Sequence, residues 1–165
     1  MGVTQLIVVA LTSLLLASCG DAGQGSRGEI AQTTSFVADT NPIEWREGAT
    51  IAIENVDTLS RRDISIFVRH QAQHNLESVE VRIYTSSPDH TIHCDELTIA
   101  LDNSSKGRRS SLKINNLLYR QDVVWSQRGV YNIDLFPLTP TEGVEAIGVE
   151  IKTYRDQNIQ TAQNL

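Results

Sequence analysis

Val79-Glu80-Val81-Arg82-Ile83-Tyr84 alternates branched aliphatic with polar or aromatic residues, and Ile64-Ser65-Ile66-Phe67-Val68-Arg69 repeats the pattern one strand-length earlier. A period of two sends successive side chains to opposite faces, so each stretch predicts a strand with one buried face. Ile51 and Ile53 alternate with Ala52 and Glu54 upstream. Downstream, Tyr131, Ile133 and Leu135 alternate with Asn132 and Asp134, and Ile147, Val149 and Ile151 mark the inward side of a last strand over 146–154. Between these, Ile92 and Cys94 share one parity and Leu97, Ile99 and Leu101 the other. That change of phase predicts a bulge or turn near Asp95-Glu96, and the acidic setting His93-Cys94-Asp95-Glu96, which disfavours a thiolate, predicts a buried, inert Cys94. Leu112 and Ile114 open a further strand that Asn115-Asn116 is expected to end, and Val123 and Trp125 lead to Gly129. Pro137 and Pro140 mark a long connection. No amphipathic helix of three turns interrupts the series. Seven to nine short strands with antiparallel-type alternation predict an all-β fold, a two-sheet antiparallel β-sandwich of jelly-roll-like connectivity. Aromatic residues are 5% of the chain, too few for the girdles of an outer-membrane barrel.

Ahead of the strands, Leu6-Ile7-Val8-Val9-Ala10-Leu11-Thr12-Ser13-Leu14-Leu15-Leu16 is an apolar run that stops at Leu16-Ala17-Ser18-Cys19. Its length suits a signal-peptide core and falls short of the ~20 residues that cross a bilayer. The small Ala17 and Ser18 fit a peptidase cleft, and the Cys19 thiol is the atom that would carry diacylglycerol, in the manner of a bacterial lipoprotein. The expected organisation is therefore a signal peptide over 1–18, the lipidated (diacylglycerol, palmitate) Cys19 and a flexible tether over 19–40, the sandwich over 41–155 and a polar tail over 156–165. Removing 1–18 from the 165 residues leaves one ordinary domain. Its place is the cell envelope, lipid-anchored, at the periplasmic or surface face of the outer membrane.

The formal net charge of -6 makes the average surface repel phosphate backbones and anionic headgroups, so nucleic acid is not an expected partner. With Cys19 lipidated, Cys94 has no partner and the fold must hold by packing. The positive stretch within 102–111 reads as a solvated hairpin tip. His70 with His74, and His90 with His93 beside Cys94 and Asp95, supply metal-ligand chemistry, yet their spacing suits solvated loops better than a metal site. Paired carboxylates (Asp95 and Glu96, Glu142 and Glu145) arise on any acidic surface, whereas a glycosidase needs two that face each other across a cleft; no nucleophile elbow or phosphate loop is present. The expectation is a non-enzyme without cofactor or metal. Trp45 and Trp125 read as core or core-edge residues. In the alternative reading, a surface glycan-binding lipoprotein, they stack on sugar rings. Asp57-Thr58-Leu59 has the three-residue form of a Bacteroidota O-glycosylation site, which makes Thr58 a candidate for modification.

The order of these features resembles the gliding-motility lipoprotein family GldH of Bacteroidota. There a lipidated Cys and a tether precede a Trp, a strand, and an Asp-Thr step into a strand ending near Val-Arg, as do Trp45, residues 51–54, Asp57-Thr58 and residues 64–69. Asn75-Leu76, residues 79–84, Pro88, Asp95 and Leu101-Asp102 follow in similar order. Gly129-Val130-Tyr131 and the closing Gly143-Val144-Glu145-Ala146-Ile147-Gly148-Val149-Glu150-Ile151 complete the likeness over roughly 45–152. Ala72-Gln73-His74 stands where the family has Tyr-Pro-Tyr. The resemblance implies a component or accessory of a membrane-associated assembly of gliding or secretion type. Its partners would be the membrane, through Cys19, and envelope proteins, with any small-molecule ligand unknown.

Overall fold

A computed structural model describes residues 29–74, 76–102 and 112–155. The expected signal peptide, Cys19, the loop over 103–111 and the tail from 156 lie outside the described residues. Eight strands follow in order: β1 (Ile30–Asp39), β2 (Ala49–Asn55), β3 (Arg61–Gln71), β4 (Ser78–Ser86), β5 (Ile92–Ala100), β6 (Leu112–Val124), β7 (Gly129–Pro137) and β8 (Val144–Tyr154). A short 3-10 turn, Ala72–His74, is the single helical element among the described residues.

The strands form two antiparallel four-stranded sheets, ordered β1-β8-β3-β6 and β2-β7-β4-β5. The pairs β1 with β8, β2 with β7, β3 with β6 and β4 with β5 are nested like the two arms of one long hairpin. Rolling that ribbon brings β8 beside β3 and β7 beside β4, which closes the sandwich as a jelly roll. The fold class is the expected one, and its cause is visible in the alternation. Ile51, Ile53, Val79, Val81, Ile83, Ile133 and Leu135 of one sheet meet Ile64, Ile66, Val68, Ile147, Val149 and Ile151 of the other in a single core. Each such side chain, fully buried, contributes about 1.5–3 kcal/mol relative to exposure.

Four expectations need correction. The tether is shorter than 19–40, because Ile30–Asp39 is a strand paired along its length with β8. Its Thr- and Ser-rich composition masks a weak alternation in which Phe36 and Ala38 pack against the core. No bulge occurs near Asp95-Glu96: β5 pairs with β4 without a shift from Ser78↔Ala100 to Ser86↔Ile92. Leu97 and Ile99 face inward throughout, while Ile92 and Cys94 lie on the outer face, so Cys94 is exposed and not buried as expected. The apparent change of phase arose from apolar residues on the solvent side. Finally, β6 does not stop at Asn115-Asn116 but continues to Val124, with bulges against Arg62, Ile64 and Ser65 of β3. Asn115 is held there by the buried His70.

One glycine has a packing cause. Phe67 points to the outer face of its sheet yet is buried, because its ring covers Gly148 directly across the pair. A Cβ on Gly148 would stand 2.3 Å from both that ring and the Phe36 carbonyl oxygen.

Candidate functional site

The nested topology puts every connection at one of two poles. The first described residue, the last one, and the connections 56–60, 87–91 and 125–128 share one pole, which we call proximal. There the Arg155 N–H donates to the Glu29 carbonyl at 2.9 Å. The connections 40–48, 72–77 and 138–143 lie at the opposite, distal pole. Each pole is closed by one of the two tryptophans.

At the proximal pole Trp125 is 6% exposed and stacks on Tyr131 with centroids 4.6 Å apart and planes 10° from parallel. The buried Arg62 guanidinium sits 5.2 Å from the Trp125 ring. Arg62 donates to Asn55 Oδ1 (3.1 Å), the Asp57 carbonyl (2.7 Å) and the Ser60 carbonyl (3.1 Å). Asn55 in turn donates to the carbonyls of Trp125 (3.1 Å) and Gln127 (2.6 Å). A buried cation is tolerated only when its donors are used and a counter-charge is near; the Asp57 carboxylate at 3.8 Å supplies the latter. Burial pushes the Arg62 guanidinium down from its ordinary range, and Asp57 opposes that shift. The Ser60 hydroxyl and the Leu59 N–H, with smaller help from Arg62, hold Asp57 down at about 2. This carboxylate also locks the turn, accepting the N–H groups of Leu59 (2.9 Å) and Ser60 (3.2 Å).

At the distal pole Trp45 is 2% exposed. Its indole N–H donates to the Glu47 carbonyl at 2.7 Å, and its backbone exchanges two hydrogen bonds with Thr141. A shallow dent of about 350 Å³ borders it, lined by Asp39, Glu44, Arg46 and Glu47 among others. Both indoles are therefore core residues, and neither offers a face to a sugar ring. The glycan-stacking reading of Trp45 and Trp125 is corrected on that ground: each ring gains more by filling the open end of the sandwich than by standing in water.

A second feature lies along the flank where the edge strands β5 and β6 of opposing sheets face each other. A slot of about 260 Å³ opens there, floored by Ile64, Ile133, Val123 and Trp125 and rimmed by Thr85, His93, Tyr119 and Arg120. Asp95 braces it, accepting the Tyr119 hydroxyl at 2.6 Å and the Arg120 guanidinium at 2.7 Å. Burial, then the bond to Asp95, raises the Tyr119 phenol above its usual range. Arg120 lies 4.8 Å from the Tyr119 ring. With its carboxylate engaged on both partners, the cluster works as a clasp between the two sheets. Sequence reading missed it because Asp95, Tyr119 and Arg120 are joined by topology and by no motif.

The remaining candidates are dispersed. Thr58 is half-buried in the turn that Asp57 locks. His70 is buried in β3 instead of lying in a solvated loop, with Nε2 2.9 Å from Asn115 Oδ1. His74 bonds to Gln71, and His90, at positive φ, turns the 87–91 connection. Among the described residues no three His, Cys, Asp or Glu side chains are grouped for a metal, and no helix is long and apolar enough to cross a membrane.

No family model and no curated protein matches the chain. Solved structures similar to it include infectious bursal disease virus capsid proteins. One, from the Gx strain, is 14% identical and covers 78% of this chain and 33% of its own, with a TM-score of 0.35. Another, the VP2 subviral particle, is 14% identical and covers 88% and 37%, with a TM-score of 0.36. This chain thus spans about a third of the length of the capsid chains it matches.

Proposed function

We propose that this protein is a non-enzymatic, lipid-anchored envelope protein, GldH-like, serving a membrane-associated assembly of gliding or secretion type. The observation that carries the reading is the apolar run over 6–16 ending at Ala17-Ser18-Cys19. Cys19 supplies the anchor. Residues 20–29 supply the reach, and an outer sheet face supplies the contact with protein partners. Such a face exists on the β1-β8-β3-β6 sheet, where Val37, Ile114 and Leu118 are exposed around the Phe67 ring. Apolar side chains clustered on a solvent face are a feature of protein contacts.

Crosslinking the lipidated protein in its native cells, followed by affinity purification and mass spectrometry, tests the proposal. Recovery of motility- or secretion-apparatus lipoproteins and membrane proteins is the expected result. Recovery of polysaccharide-uptake components, or of no protein, overturns it.

A further inference from the structure

We infer that the proximal pole is a membrane-resting surface, which seats its 56–60 turn among lipid headgroups and points the distal pole away from the bilayer. The inference rests on the anchoring of Cys19 proposed above. Two observations lead to it.

The first is the side chains displayed. Turn tips at the end of a sandwich are ordinarily polar, yet Val56 is 67% and Leu59 72% exposed. Ile30 and Ile92, also exposed, lie at the same pole. The turn that presents Leu59 is fixed, its N–H groups held by Asp57 and its carbonyls by the buried Arg62. A rigid turn that holds two aliphatic side chains in water gains by burying them against an apolar phase.

The second is the length of chain. Ten residues, 20–29, separate Cys19 from β1. As a coil they span roughly 17 Å, and fully extended no more than about 35 Å. A ten-residue strand is itself about 34 Å long. The anchor therefore holds the pole where β1 begins within about one domain length of the headgroups.

The test uses the full chain, purified with its lipid and carrying Cys94→Ser. Single cysteines, Leu59→Cys, Val56→Cys or Ile43→Cys, are labelled with a polarity-sensitive nitrobenzoxadiazole probe. Acylated Cys19 does not react. Ile43, 79% exposed at the distal pole, is the reference. Variants that melt as the parent does are reconstituted into phosphatidylethanolamine–phosphatidylglycerol vesicles. The expected result is emission that shifts to the blue and brightens severalfold at 59 and 56, and stays water-like at 43. Water-like emission at all three positions, on protein that floats with the vesicles, overturns the docking and leaves the anchor standing. A blue shift at 43 equal to that at 59 overturns the orientation. Protein that fails to float with Cys19 intact removes the anchor and the docking together. A native intact mass carrying a glycan on Thr58 also overturns the docking, because a sugar beside Leu59 would hold the turn off the bilayer.

Discussion

The two poles of the sandwich solve one problem with different chemistry. Each must close the open end of an apolar core, and each uses a tryptophan. Trp45 is satisfied locally: its indole N–H finds the Glu47 carbonyl two residues on, and its backbone pairs with Thr141. Trp125 is one layer of a stack, with Tyr131 on one side and the Arg62 guanidinium at 5.2 Å; Arg62 also gathers Asn55, Asp57 and Ser60 of the adjoining turn, and Asn55 ties that turn to the carbonyls of Trp125 and Gln127. The distal plug is a hydrophobic stopper with one hydrogen bond. The proximal plug is a cooperative unit whose members depend on one another, and that unit also holds the 56–60 turn rigid. Interdependence of this kind makes local damage more costly, since a buried cation left without partners is worse than none.

The largest effect should therefore come from the proximal plug. Trp125→Ala is expected to cost about 4–5 kcal/mol in denaturant unfolding, toward the upper end for a large aromatic truncation. Trp45→Ala should cost about 3–4 kcal/mol. Equal losses would dissolve the distinction between the poles. A double-mutant cycle sharpens it: Arg62 and Trp125 should couple by roughly 1–2 kcal/mol, whereas Arg62 and Trp45, at opposite poles, should be additive.

Backbone strain gives a smaller comparison. Gly129 at the proximal pole has φ 127° and Gly143 at the distal pole φ 78°, both in territory that suits glycine. Alanine at either position should cost about 1–3 kcal/mol, read as a lowered Tm. Gly143→Ala should be the worse of the two, because its Cβ would stand 2.5 Å from the His74 ring, against 3.1 Å from Pro88 at Gly129.

Trp45→Phe keeps most of the distal stopper and removes its hydrogen bond, for a loss of about 1 kcal/mol. The smallest effect is in acid. Asp57 lies at about 2 in the folded protein, below the ordinary 3.8, so folding favours its ionised form. Its contribution is complete above pH 4 and is lost as the pH falls from there toward 2. Asp57→Asn should flatten that limb of the stability profile. The change is modest, since the carboxylate is 44% exposed and solvent screens it.

Much of the fold was legible because a period of two survives in the strands with one dry face. Residues 64–69, 79–84 and 131–135 carry it cleanly, and they are central in their sheets or paired with central strands. The pattern failed at the edges. In β1 the inward side offers only Phe36 and Ala38 near its end, so a strand passed for tether. In β5 the exposed Ile92 and Cys94 imitated a change of register that the pairing with β4 does not show. An edge strand packs against fewer neighbours, so its residues are less constrained to report which side is buried.

What the sequence by itself determined is the alternation of one apolar and one polar face, and with it an all-β sandwich. Sheets left open on that side would keep those aliphatic rows in water. Tertiary structure alone decided which residues meet. The Arg62–Trp125–Tyr131 stack, the Asp95 clasp on Tyr119 and Arg120, the cover of Phe67 over Gly148 and the gathering of Val56 and Leu59 at the end where the chain enters all join residues far apart in sequence. Periodicity is a local property of the chain. Contacts across a rolled ribbon are set by how its arms pair, and no short window of residues contains that information.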